Sequence, residues 1–200
     1  MTERRAKRIL LCAAGGYQVY SLPGFILSLL KNFADEVQVV LSPAAAKMTS
    51  IYSIEVATRR PVYVEMDDKG PDVYVPHIEL ARDVDLILVY PATVSIMGKI
   101  ANGIADELIA AIVVAAEVPV FFVPIANPAM LAHPAVERNI EQLRQDGYVV
   151  LPSPPSVEIA TREGLMDAGS HFPLPTLLMR MASALTDRAV GVARRGPART

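Results

Sequence analysis

His77, Asn127 and the run Pro91-Ala-Thr-Val-Ser-Ile96 are the parts of this chain whose residue types and spacing suit chemistry. The run follows the apolar stretch Asp85 to Tyr90 directly. In an open α/β sheet a ligand sits at the carboxyl end of a strand, against the first turn of the next helix. Thr93 and Ser95 would present hydroxyls there, and the exposed N–H groups of a helix start can bond the carbonyl oxygens of a planar ring. Plain N-capping gives the same residues a structural job. His77 occupies a short helical turn after Pro76, ahead of the strand that delivers this run, and imidazole suits proton transfer at neutral pH. A lone histidine is also commonly a surface or satisfied core residue. Asn127 lies in Pro124-Ile-Ala-Asn-Pro128 after another apolar run; Asn-Pro starts many turns, and an amide NH2 there would also hold a carboxylate. Together the pattern reads as a cofactor site with a catalytic imidazole and an amide that positions a carboxylate or thiol.

Gly15-Gly16-Tyr17-Gln18 follows the first apolar run and opens a helix, where glycines let backbone N–H groups approach a phosphate. The spacing is not that of a dinucleotide fingerprint: no third glycine follows, and no acidic residue closes the second strand. That strand ends instead in Ser42-Pro43, whose hydroxyl suits a phosphate or a ring edge. The missing ribose-binding acid points to a mononucleotide. A tight turn is the structural alternative. No metal-ligand spacing, nucleophile elbow or Walker loop occurs, so no metal is expected. Cys12 is the one cysteine and sits within an apolar run, which fits a buried thiol in a reducing, cytoplasmic compartment. His133 precedes Pro134 at a helix start and reads as structural, and His171 reads as exposed.

These residues need a scaffold. Apolar runs at Ile9–Ala13, Val37–Leu41, Val62–Val64, Leu86–Tyr90, Val118–Val123 and Tyr148–Leu151 alternate with helical patterns. The helical patterns cover Leu22–Phe33, Ala44–Met48 with Ile54–Thr58, Val94–Ala101, Asp106–Ala116 and Pro128–Gln145. Alternation of this kind predicts βαβ units and a parallel sheet covered on both faces. Asn102-Gly103 is expected to end one helix, Asp106 to cap the next, and Gly147 to end the last. Over 200 residues this amounts to one domain, about 1–190, with an irregular flap at about 152–175 and a disordered tail at 191–200. A further amphipathic segment runs from Leu177 to Ala189. A net charge of −2 gives no basis for nucleic-acid binding, and no segment reads as membrane-spanning. Hydrophobic content of 52% against 20% charged suggests that partner subunits cover some apolar surface.

These motifs, in this order, resemble the homo-oligomeric flavin-containing cysteine decarboxylases over about residues 8 to 155. Pro91 to Leu108 is similar to the family's Pro-Ala-Ser-Ala-Asn-Thr motif and its Lys-Ile-Ala-Asn-Gly-Ile extension, here Lys99 to Ile104. Pro124 to Leu131 is similar to its Pro-x-Met-Asn-x-x-Met-Trp motif and retains Pro124, Asn127 and Met130. His77 stands where the family has its active-site histidine. The resemblance implies a Rossmann-like (flavodoxin-like) open parallel sheet with helices on both faces. It implies FMN held by Gly15, Gly16, Tyr17, Ser42, Thr93, Val94, Ser95 and Ile96, with Ala115 near the ring. It further implies a homotrimer or homododecamer with FMN at the subunit interface. The implied chemistry is flavin oxidation of a cysteine side chain to a thioaldehyde, then loss of CO2 to an enethiol, with His77 serving the thiol and Asn127 binding the carboxylate. Met130, Ser156 and Glu158 would join Asn127 in binding substrate.

Departures from the family pattern indicate the branch. Ser95 and Ile96 replace Asn and Thr, Ala126 replaces Met, and Leu131 replaces Trp. The coenzyme A branch keeps a flap cysteine that completes reduction to a saturated amine, and residues 152 to 175 contain none. No fused synthetase domain is expected, and Ile9 to Val19 and Ser156-Val-Glu-Ile159 look more like the lantibiotic-type peptidyl-cysteine decarboxylases. The expected substrate is therefore a precursor peptide ending in cysteine, converted to an aminoenethiol for a natural product. The alternatives are phosphopantothenoylcysteine decarboxylase of coenzyme A biosynthesis and a non-catalytic flavoprotein regulatory subunit.

Overall fold

A computed structural model describes residues 6–71, 73–153 and 174–195. Six parallel strands form the sheet: β1 (Ala6–Ala13), β2 (Ala34–Leu41), β3 (Val62–Tyr63), β4 (Leu86–Ala92), β5 (Val120–Pro124) and β6 (Val149–Val150). Their order across the sheet is β3-β2-β1-β4-β5-β6. The chain therefore reverses its winding between β1 and β4, and a crevice opens at the carboxyl ends of those two strands. This is the six-stranded doubly wound order, not the flavodoxin order with the crevice between its first and third strands.

Alternating residues divide the core into two layers. Ile9, Leu11, Leu88, Tyr90, Phe121 and Val123 face one side. Packed there are α1 (Leu22–Asn32), the one-turn α2 (Pro43–Ala46), α3 (Ile51–Thr58) and α9 (Leu174–Arg195). Leu10, Cys12, Ile87, Val89, Val120 and Phe122 face the other side. Over them lie α4 (Pro76–Arg82), α5 (Val94–Ala101), α6 (Leu108–Val114) and α8 (Pro134–Gln145). Each fully buried Leu, Ile or Phe contributes roughly 1.5–3 kcal/mol through apolar burial. Cys12 lies fully inside the second layer, and burial pushes its thiol far above the ordinary range. It is an inert core residue.

Local chemistry sets the element ends. The helical pattern over Pro128–Gln145 breaks in two, giving α7 (Pro128–Leu131) and then α8, because Pro134 restarts the helix with His133 as its cap. The His133 Nδ1 accepts from the Ala135 N–H at 3.2 Å, so this histidine is structural. Gly147 closes α8 at φ 93°, and Asn102-Gly103 closes α5 with Gly103 at φ 68°. Helix α9 passes Gly191, where the sequence had suggested the start of a disordered tail, and continues to Arg195. The segment expected to form a flap falls largely in 154–173, outside the described residues, as do His171, Ser156 and Glu158.

Asp106 does not cap α6. Glu107 holds the cap position without a side-chain bond, and Lys99 draws both acids back to α5 at 2.9 Å (Asp106) and 2.7 Å (Glu107). The hydrogen bond that Lys99 donates to Glu107, then the one it donates to Asp106, raises the Lys99 pKa. A folded-state pKa above the unfolded value stabilises below the unfolded pKa and loses that contribution as pH rises through the folded one. Lys99→Met is expected to lower stability by about 0.5–1 kcal/mol at neutral pH. Urea titrations should show the gap to wild type closing at strongly alkaline pH; a gap that persists there would assign the loss to packing.

Candidate active site at the carboxyl edge of the sheet

Three backbone hydrogen bonds stitch the strand ends into one row. Ser42 N donates to Ala13 O at 2.9 Å, Ala14 N to Pro91 O at 3.1 Å, and Ile125 N to Ala92 O at 2.9 Å. The row brings together the Gly15-Gly16 turn, the Ser42 turn, the Pro91–Ser95 turn and the Pro124–Asn127 turn, four segments distant in sequence. The glycines make this possible. A Cβ on Gly15 would lie 2.7 Å from the Ala44 Cβ, and one on Gly16 would lie 2.9 Å from the Pro91 Cβ. Their first role is thus close packing of neighbouring turns, and the Gly16 N–H is already engaged with Ala14 O at 2.7 Å. Donors for an anion come from the 3-10 turn Tyr17–Ser21 that follows, whose opening N–H groups have no partner within the helix.

The oxygen atoms expected to bind ligand also cap helices. Ser42 Oγ accepts from Ala45 N at 3.2 Å, and Thr93 Oγ1 from Ile96 N at 3.4 Å. Each hydroxyl keeps its own hydrogen for a further acceptor. Val94 is half-buried and Ser95 is exposed, beside the crevice. Ile96 turns its side chain into the second core layer, and its N–H donates to Thr93 Oγ1. Tyr17 is exposed and lies against Tyr20, with ring centroids 4.8 Å apart.

Asn127 caps α7. Its Oδ1 accepts from Ala129 N at 2.8 Å, which orients the amide with its oxygen toward the helix and its nitrogen away. Met130, one turn on, is 50% exposed. A groove of about 480 Å³ leads from Pro124 and Leu131 along Glu141 and Arg144 of α8 to Pro152 and Ser153.

His77 sits in the first turn of α4, which begins at the carboxyl edge because a crossover helix runs antiparallel to its strands. Glu79 fixes that turn: its Oε2 accepts from the N–H groups of Tyr74 at 2.6 Å and Val75 at 2.8 Å. The Nδ1 of His77 is enclosed and has no hydrogen-bond partner. The structure places His77 and Asn127 on the same sheet edge, on either side of the β1/β4 crevice.

Ala115 lies away from this row within the single chain. It follows α6, four residues before Pro119, whose carbonyl accepts from Ile87 at the start of β4. Within one chain it therefore lies toward the amino edge and does not meet the crevice.

Two residues escaped the sequence reading. Gln18 Oε1, in the 3-10 turn Tyr17–Ser21, and the Tyr90 hydroxyl, in β4 just before Pro91, are enclosed without partners. Tyr90 is the last residue before Pro91, and a phenol ending an otherwise aliphatic run was the available signal. Buried polar atoms left unpaired are uncommon and costly. With His77 Nδ1 they make three such atoms among the described residues, all at the carboxyl edge. Row, helix starts and unmatched atoms together fit a bound mononucleotide.

A doubly wound sheet takes its ligands at the carboxyl edge beside such a switch point. The family model described as Flavoprotein matches residues 1–171, and the chain belongs to that family. It is 38% identical over 143 residues to the coenzyme A biosynthesis bifunctional protein CoaBC of Bacillus subtilis (strain 168), covering 71% of this chain and 35% of that protein. The chain thus spans about a third of that relative's length. The solved structure of TvaF, an FMN-dependent cysteine decarboxylase from thioviridamide biosynthesis, superposes with TM-score 0.69 at 28% identity, covering 88% of this chain and 98% of that one. EpiD in complex with the substrate peptide DSYTC superposes with TM-score 0.68 at 25% identity, covering 78% of this chain and 87% of that one. Among the described residues no side-chain group could hold a metal ion, and no helix is long and apolar enough to cross a membrane.

Proposed function

We propose that this protein is an FMN-dependent decarboxylase acting on the C-terminal cysteine of a peptide and releasing an aminoenethiol. The observation that carries the reading is the stitched row of four turns with unmatched buried polar atoms along it, flanked by His77 and Asn127. The likeness to TvaF and to peptide-bound EpiD supports it.

Bound FMN supplies the two-electron oxidation of the cysteine side chain from thiol to thioaldehyde. The chain's own residues do the rest. The Tyr17 turn and Ser42 hold the phosphate by backbone and hydroxyl donors, and the Thr93–Ser95 turn faces the ring. His77 takes the thiol proton at Nε2, since Nδ1 is enclosed. Asn127 presents its amide nitrogen to the substrate carboxylate, in the orientation that its cap on α7 sets. Oxidation places a thiocarbonyl β to the carboxylate. CO2 then leaves, the electron pair of the broken carbon–carbon bond passes onto sulfur, and His77 returns its proton to that sulfur, giving the enethiol. Met130 and the groove running along α8 give room for residues upstream of the cysteine. Ser156 and Glu158 complete peptide binding. Ala115 reaches a ring only across a subunit boundary, which suits a trimer with FMN between subunits.

Asn127→Asp tests the carboxylate assignment cleanly, because Asp also caps a helix and the fold should stand. The change removes the NH2 donor and adds a like charge, so KM for the peptide should rise roughly tenfold to a hundredfold, while thermal unfolding stays put. An unchanged KM would remove Asn127 from carboxylate binding.

The 38% identity to CoaBC favours a second reading, decarboxylation of phosphopantothenoylcysteine. Mass spectrometry separates the two. Our reading requires a cysteine-terminated peptide to lose CO2 plus two hydrogens. Turnover of phosphopantothenoylcysteine, with or without loss of two hydrogens beside CO2, would establish the second reading. A protein that binds flavin and leaves both substrates intact would be a non-catalytic partner.

A further inference from the structure

We propose that Gln18 and Tyr90 form the recognition site for the polyol chain of the flavin, between the turn that takes the phosphate and the turn that takes the ring. The inference rests on the flavin reading above and assigns two residues that it leaves unused. Gln18 follows Tyr17 on the phosphate side, and Tyr90 precedes Pro91 on the ring side, so in sequence the pair bridges the two turns. In space, Gln18 Oε1 approaches the glycine turn that packs against Pro91, the chain neighbour of Tyr90. A Cβ on Gly16 would lie 2.9 Å from the Pro91 Cβ and 3.7 Å from Gln18 Oε1. The Tyr90 ring is held in place, 1% exposed, against Phe25 with centroids 4.7 Å apart.

Both polar atoms are enclosed without a partner, and each demands one. Burial, with a smaller push from Tyr20, raises the Tyr90 phenol to about 12, so it stays a donor. The Gln18 oxygen is an acceptor, and if the amide is turned over the unmatched group becomes a donor. A hydroxyl satisfies either case, because it donates and accepts at once. An oxidised isoalloxazine ring carries a single N–H donor, and a phosphate carries almost none. A chain of adjacent hydroxyls is the part of FMN that matches both atoms together.

The test measures affinity. Apoprotein is titrated by fluorescence with FMN, riboflavin and lumiflavin, the last keeping the ring and lacking the polyol. Wild type that binds none of the three overturns the flavin reading itself, and this inference with it. If wild type binds, Tyr90→Phe and Gln18→Leu should each weaken FMN and riboflavin about tenfold and leave lumiflavin unchanged. Tyr90→Phe should also leave the apoprotein at least as heat-stable as wild type, because its lost hydroxyl had no partner in the folded chain. Equal weakening of all three ligands, or no weakening of any, overturns the inference in favour of ring contact or of an enclosed water.

Discussion

His77→Asn is expected to bind FMN as tightly as wild type and to decarboxylate roughly 10²–10⁴ times more slowly. Asparagine fits the first turn of α4 and leaves untouched the Glu79 bonds to the Tyr74 and Val75 N–H groups that hold this turn. It offers no group that exchanges a proton near neutral pH. The loss should therefore fall on the rate of flavin reduction and spare the yellow colour of the purified protein. Flavin content from the visible spectrum and single-turnover reduction kinetics check the two halves separately. Reduction within threefold of wild type would strip His77 of its role. Loss of flavin would make it a binding residue.

Gly16→Ala is expected to destroy the site by a different route. The added methyl would stand 2.9 and 3.0 Å from the Pro91 ring, so the glycine turn and the β4 turn must part. Overpacking of this kind costs about 1–3 kcal/mol of stability. It also breaks the row where the cofactor is proposed to lie, and FMN affinity should fall at least about a hundredfold. Gly24→Ala is the matched control. Nothing lies within 4 Å of its Cβ position, and it is exposed on α1. Alanine there should leave FMN binding unchanged and raise stability by up to about 1 kcal/mol. Equal flavin affinity in both variants would separate the Gly16–Pro91 contact from cofactor binding.

The sheet was legible in the sequence because a parallel sheet buried on both faces leaves aliphatic runs. Four of the six runs overlap strands of several residues; the Val62–Val64 and Tyr148–Leu151 runs form only the two-residue β3 and β6, as expected of edges. The order of the strands was not written there. The crossovers decide it, and they place the crevice between β1 and β4. The roles of Gly15 and Gly16 were half-legible: glycine was needed, but for neighbours that only the folded chain reveals, Ala44 and Pro91. The inward turn of the Ile96 side chain was not legible, because a helix start exposes backbone while the 3.6-residue period directs the side chain to the core. Asp106 looked like a cap by type, but Lys99, one helix away, outcompeted the local N–H groups. Tyr90 and Gln18 were missed because lack of a partner is a property of three-dimensional packing, and no spacing rule records it.

The central claim is that this carboxyl-edge row holds a flavin that accepts two electrons from a terminal cysteine. Anaerobic mixing of FMN-loaded protein with one equivalent of a cysteine-terminated peptide tests it in a single trace. The account requires the visible flavin band to bleach fully and stay bleached, with one CO2 released per flavin. Release of CO2 while the band remains or recovers would contradict it.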